Sequence, residues 1–220
     1  PLTAVTASVA PTLAYLRILP VDQAALPSAD TVLSQRFHQD HVLGTSLDVV
    51  LVGLSPVHAD QVFKKMLDEI ERLDRVLSIW RDDSEIAQLN QRSSFRASED
   101  LFAVIAACEQ WQTQTCGAFS ARLGGLLQQW QSAQQITALR PDTDWQQVAA
   151  QLATARVDLN SNTRQIDRAT AVQFSPDALA KGYVIDRVIA VALAEQSQHL
   201  GDSSSQLAGV LVDIGGDLRV

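Results

Sequence analysis

A chain of 220 residues with 46% hydrophobic and 19% charged side chains can bury a substantial core and is too apolar to be intrinsically disordered. Its formal charge of −8, with no basic stretch interleaved with aromatics, excludes nucleic acid as the expected partner. No apolar run reaches the roughly 18 residues of a membrane span.

Residues 1–35, rich in Ala, Thr, Ser and Pro, read as an N-terminal extension with one short strand around Leu13 to Leu19. Leu2 to Leu19 lacks the cationic start of a signal peptide, and numbering from Pro1 leaves room for a leader removed earlier. Ser46 to Gly53 alternates, with Leu47, Val49 and Leu51 on one face, and predicts a half-buried strand. Ser55-Pro56 is an N-cap followed by proline at the first helical position. The helix it opens should run to about Leu77, with Val62, Phe63, Met66, Leu67, Ile70, Leu73 and Leu77 as its apolar stripe. Asp68–Arg72 and Glu71–Arg75 are expected to pair on the wet face.

Ser98 caps a second helix, whose buried side should carry Leu101, Ile105, Cys108 and Trp111 and which Gly117 should end. On one helix Cys108 and Cys116 would stand about 12 Å apart, beyond the roughly 7 Å a disulfide tolerates. Two buried thiols are expected. Short helices follow at Leu123 to Trp130 and Asp144 to Leu152. Arg156 to Leu159 and Arg164 to Asp167 form a hairpin around Asn160-Ser161-Asn162-Thr163, and Val172 to Phe174 a third strand. The helix from Pro176 to about Gln196 is apolar on nearly every side, so burial between layers is expected. A polar loop at Gly201 to Gln206 precedes Ala208 to Ile214, a near-continuous apolar strand suited to the middle of a sheet. Gly215-Gly216 turns out of it. Long helices with grouped antiparallel strands make the class α+β, over a domain of residues 36–220 expected to be incomplete at its C-terminus.

Several residues stand out chemically. Ser175 before Pro176 is a natural N-cap; the amide groups behind it offer an anion site, while plain capping is an equal alternative and Asp177 would oppose a phosphate. Lys181 lies about one turn on, a cation on an otherwise greasy helix. His38, His41, His58 and His199 lack ligand spacing and read as surface residues; Asp213 and Asp217 flank the Gly-Gly turn as structural groups. Trp80, after an apolar helix, reads by itself as a core residue.

Five local patterns occur in a fixed order. They are Leu43-Gly44-Thr45; Leu77-Ser78-Ile79-Trp80 with Asp83-Ser84-Glu85-Ile86 and Asn90; Gly117-Ala118-Phe119-Ser120; Ala180-Lys181-Gly182-Tyr183 with Asp186; and Val212-Asp213-Ile214-Gly215-Gly216-Asp217. Together, over about residues 36–220, they resemble the N-terminal two-thirds of the ApbE-type flavin transferase (FAD:protein FMN transferase) family.

The resemblance implies an α+β, T-fold-like architecture of mostly antiparallel sheet layers packed with long helices. It implies a Mg²⁺-dependent enzyme that moves FMN from FAD to a Ser or Thr of a target protein and releases AMP. Such a phosphoryl transfer needs positioning and charge neutralisation more than covalent help. It also implies a flavin-binding set of Leu43, Trp80, Ala118, Phe119, Ser120, Ser175 and Lys181, with the backbone carbonyl of Ala178 on the metal. No catalytic side chain is singled out.

Two positions depart from the family: Ser120 and Ser175 each stand where aspartate is usual. The family's side-chain metal ligands come from stretches beyond the Gly-Gly-Asp strand that these 220 residues do not contain. Those departures keep a second reading open, a non-catalytic relative that binds flavin or a partner protein. The resemblance further implies work in the bacterial cell envelope or periplasm, with membrane association through a removed leader.

Overall fold

The computed structural model describes residues 33–127, 145–198 and 206–220. Strand β1 (Ser34–Val42) pairs antiparallel with β2 (Thr45–Val52), Phe37 opposite Val49. Their loop is two residues long, and Leu43 (φ 49°) and Gly44 (φ 76°) both adopt the left-handed conformation. That backbone twist matches the right-handed twist of the strands it joins. A register shift between Asp40 and Val42 sets off the last residues of β1. β6 (Gly209–Ile214) pairs with β2, and β7 (Asp217–Arg219) with β6, across the Gly215-Gly216 turn. The order β1-β2-β6-β7 puts the apolar β6 inside, as its composition requires.

Helix α1 (Pro56–Leu77) starts as its sequence dictates, with the Ser55 hydroxyl accepting from His58 N–H at 3.4 Å. Met66, Leu73 and Leu47 are fully enclosed, and the buried face of α1 packs with that of α5 (Asp177–Gln198) beside the sheet. A second antiparallel sheet has the order β3-β5-β4, from β3 (Ser94–Arg96), β5 (Gln165–Arg168) and β4 (Val157–Asn160). Helices α2 (Glu85–Asn90), α3 (Glu99–Gln114) and α4 (Trp145–Thr154) complete the described elements, with a helical turn at 124–127. The class is α+β, as expected. Among the described residues no helix is long and apolar enough to cross a membrane.

Several expectations are corrected. β1 starts at Ser34, within the expected extension, and runs ahead of the first expected strand; its outward Arg36, His38 and Asp40 hide the alternation of an exposed edge strand. α2 and β3 were too short to declare themselves. Val172 to Phe174 is not the third strand of the hairpin sheet; β3 takes that place, and residue 173 makes only a parallel bridge to Leu123. α5 is not apolar on all sides in effect: Val184, Ile185, Val188, Ile189 and Ala192 are buried, whereas Asp186, Arg187 and Leu193 are exposed. Trp111 is 48% exposed rather than buried. Cys108 is buried, but Cys116 is exposed, because α3 ends at Gln114 and Cys116 turns left-handed at φ 51°. Arg72 pairs with Glu69 and Asp100, not Asp68, whereas Glu71–Arg75 forms. The expected strand at 13–19, the end of the expected helix at 128–130 and the loop at 201–205 lie outside the described residues.

Candidate functional site

The family-like motif around Ser84 turns out to be scaffolding. The Ser84 hydroxyl, fully buried, accepts from Ala87 N–H at 3.1 Å and caps α2. Glu85 Oε1 accepts from Ser98 N–H at 2.5 Å, so the first residue of α2 pins the start of α3. Asn90 acts as a surrogate strand: its Nδ2 donates to Phe174 O at 2.9 Å and its Oδ1 accepts from Phe174 N–H at 2.8 Å. Arg168, buried, donates to the carbonyls of Leu89 (3.1 Å), Asn90 and Val172. Burial holds its guanidinium below the usual arginine range. These bonds lock α2 against the segment entering α5.

Where α1, α3 and α5 meet, Asp100 accepts from Arg72 Nη1 at 2.8 Å and from the Tyr183 hydroxyl at 2.6 Å. Arg187 Nε stands 3.7 Å from both Asp100 and Glu69. Burial pushes the Asp100 carboxyl upward, but Arg72, Tyr183 and Arg187 outweigh it and leave it below the ordinary aspartate value. The Tyr183 phenol is raised, first by burial and then by its bond to Asp100. This cluster, built on the buried Asp100, fixes α5 by its second turn.

That framework leaves a cleft of about 1100 Å³. Its walls are the hairpin turn at Leu43, the inner face of α1 at Leu67, Ile70 and Leu77, the loop at Ser78 to Arg81, and the first turns of α5 from Asp177 to Val184. Asp217 reaches it from β7. Trp80 lines the cleft and is 73% exposed, so the reading of its indole as core filler is corrected. Of the lining residues, Arg81 and Lys181 are the arginine and lysine; Glu71, Asp74, Asp177 and Asp217 carry carboxyls. Burial raises the Asp177 carboxyl, while Ser175 and Lys181 pull the other way.

The cleft brings together Leu43, Trp80, Ala178 and Lys181, from three segments distant in sequence. Ala118, Phe119, Ser120 and Ser175 are not among its lining residues. Phe119 N–H donates to Thr115 Oγ1 at 3.0 Å, and the Ser120 hydroxyl donates to Gln112 Oε1 at 2.9 Å. Ser175 N–H donates to Ala121 O at 2.8 Å, so the 118–121 loop is tied to the approach to α5. Ser175 is not the helix cap: the Pro176 carbonyl accepts from Ala180 N–H at 2.9 Å, and the Ser175 hydroxyl goes to Asp177 Oδ2 at 3.4 Å. Proline supplies the first carbonyl here because it has no N–H to leave unpaired.

Asp213 is structural as expected, taking Gly216 N–H at 2.8 Å, whereas Asp217 belongs to the cleft. His38 is a surface residue bonded to Asp48 at 2.8 Å, and that bond raises its pKa; His41 lines the cleft. Sequence reasoning missed Arg81, Asp74 and Glu71 as lining residues. Their only signal was position: two charged residues on the last turns of α1 look like any wet helix face. Among the described residues no group of three or more His, Cys, Asp or Glu is placed to hold a metal ion, so the side chains described do not fit Mg²⁺ by themselves.

A model of the ApbE family matches residues 43–220. Among solved structures, the chain is similar to a Pseudomonas stutzeri flavinyl transferase ApbE in its apo form, at 23% identity and TM-score 0.67, over 86% of this chain and 60% of that one. It is similar to a Vibrio cholerae flavin transferase ApbE at 17% identity and TM-score 0.67, over 86% and 59%. A Thermotoga maritima apbE protein is similar at 21% identity and TM-score 0.64, over 84% and 58%. These likenesses establish the fold, and the chain spans about 60% of the length of those proteins. No curated protein matched it.

Proposed function

Because this chain belongs to the ApbE family, we propose that its cleft holds FAD as a flavin transferase substrate, for transfer of the FMN half to a Ser or Thr of a target protein. In that reaction the acceptor oxygen forms a bond to the FMN-side phosphorus, the bond to AMP breaks, and the acceptor proton leaves to solvent or to the departing phosphate. The observation that carries the reading is the convergence of Leu43, Trp80, Ala178 and Lys181 on one cavity of dinucleotide size.

Each lining group has a task in this reading. The exposed indole of Trp80 offers a flat face to the isoalloxazine, and Leu43 an apolar edge. Lys181 neutralises pyrophosphate charge as it spreads to the leaving AMP. Mg²⁺ would supply Lewis acidity at the phosphate oxygens, with the Ala178 carbonyl as one ligand. The described side chains offer no set to accompany that carbonyl, so this chain's own contribution is positioning and charge. Ala118, Phe119, Ser120 and Ser175 enter the reading as a neighbouring loop and helix approach joined by the Ala121–Ser175 bond. Work in the cell envelope or periplasm, and membrane association through a removed leader, are part of the same proposal.

The second reading, a relative that binds flavin or a partner without transfer, is favoured by Ser120, whose hydroxyl is already committed to Gln112. Incubating the protein with FAD, Mg²⁺ and an acceptor protein bearing a Ser/Thr site separates the two. AMP release with a gain of one FMN in acceptor mass is expected; absence of both, with flavin binding retained, would leave only the second reading. No change in flavin fluorescence on titration would remove both.

A further inference from the structure

We infer that Arg81 is a positioning residue: its guanidinium, strung between Asp74 and Asp83, holds the indole of Trp80 at the mouth of the cleft. For its ligand this rests on the flavin reading; for its geometry it does not.

Trp80 needs such a device. At 73% exposure its ring is not gripped by the core, and it sits between the end of α1 and the start of α2, outside any helix or strand. The backbone N–H of Trp80 donates to Ser78 Oγ at a long 3.4 Å. An exposed aromatic on such a segment would sample several rotamers and lose entropy on docking a ring.

The next residue supplies the restraint. Arg81 Nε and Nη2 donate to the two carboxylate oxygens of Asp83 at 3.1 and 3.2 Å, and Nη1 donates to Asp74 Oδ2 at 3.4 Å. Asp74 belongs to the last turn of α1, where its carbonyl also takes Ser78 N–H at 3.0 Å. Asp83 immediately precedes Ser84, the cap of α2. The planar fork therefore spans the connection between two anchored helices, one residue from the indole. With two carboxylates on it, this guanidinium has little charge left for a phosphate. That separates its role from that of Lys181, whose side chain faces the same cleft.

Because the ion pairs are at the surface, the restraint is weak globally and salt-sensitive, and it matters through the one ring it orients. Arg81→Lys keeps the charge but not the fork, and Asp74→Asn removes the helix end of the strut.

The test reads Trp80 directly. Fluorescence polarisation is measured for the full chain and for R81A, R81K and D74N, each with and without Trp80→Phe, and the difference isolates the Trp80 signal from the other tryptophans. Lower Trp80 polarisation in R81A and D74N is expected, with partial loss in R81K, a thermal midpoint close to that of the parent, and the same loosening in the parent at about 1 M salt, where the Debye length is about 3 Å. FAD titrated by flavin fluorescence should bind about two- to fivefold more weakly to R81A. Unchanged Trp80 polarisation overturns the inference, as does lowered polarisation with unchanged FAD affinity. If polarisation falls but the parent itself binds no FAD, the strut stands and the flavin reading fails.

Discussion

Asn90 shows how a motif residue can act wholly through the backbone. It satisfies both the N–H and the C=O of Phe174, whose side chain is fully buried. Asn90→Ala strands two main-chain groups away from water, which costs roughly 2–4 kcal/mol. A lower urea midpoint with an unchanged slope is the expected result, and FAD affinity of the folded fraction should be little altered. The two thiols offer a second check at this scale. Burial pushes Cys108 up to about 12, while Cys116 is exposed on the left-handed turn after α3. A thiol reagent near neutral pH should modify one cysteine rapidly in the native protein and the second only after denaturation. Fast modification of both would mean that α3 opens readily.

Helices α1, α3 and α5 are held together by the Asp100 cluster as well as by apolar packing. Asp100 is 8% exposed, and Arg72, Tyr183 and Arg187 face it while Glu69 shares the two arginines. Its folded value lies below the ordinary one of about 3.9. The ionised form is therefore favoured by folding: the stabilisation is present in full above the unfolded value and disappears as pH falls through the depressed folded one. Unfolding midpoints followed down from about pH 5 should drop more steeply in the parent than in Asp100→Asn, which begins less stable. Parallel acid limbs would show that Asp100 is not the group responsible. Two of the three helices that this cluster joins, α1 and α5, are also walls of the cleft.

At the scale of the whole molecule, a ligand that fills the cleft must raise the stability of the folded state. FAD at about 100 times its dissociation constant adds about 2.7 kcal/mol, a rise of about 5–10 °C in midpoint for a chain of this size. Lys181→Ala should shrink that rise without altering the midpoint of the free protein, because Lys181 serves the ligand and not the fold. No shift with FAD in the parent would count against the cleft as its site.

What could be read without the structure was whatever depends on neighbours in the chain. The Ser55-Pro56 start of α1, the Ser98 cap of α3, the Asn160–Thr163 hairpin and the inner strand β6 are local patterns, and each appears where its residues require. Order and spacing of five motifs were enough to point to the family that matches residues 43–220. What stayed hidden depends on partners far away in sequence. The edge strand β1 is charged outward and is a strand because β2 pairs with it; Asn90 and Arg168 look like ordinary polar residues until Phe174 and Leu89 are brought to them. The site divides the same way. The family resemblance nominated Leu43, Trp80 and Lys181, but their shared cavity, the exposure of the indole, and the placing of Ser120 and Ser175 outside that lining were decided by tertiary packing. The reason is physical: helix caps, turns and periodicity are set within a few bonds of backbone, whereas a cleft exists only where the surfaces of separate elements fail to meet.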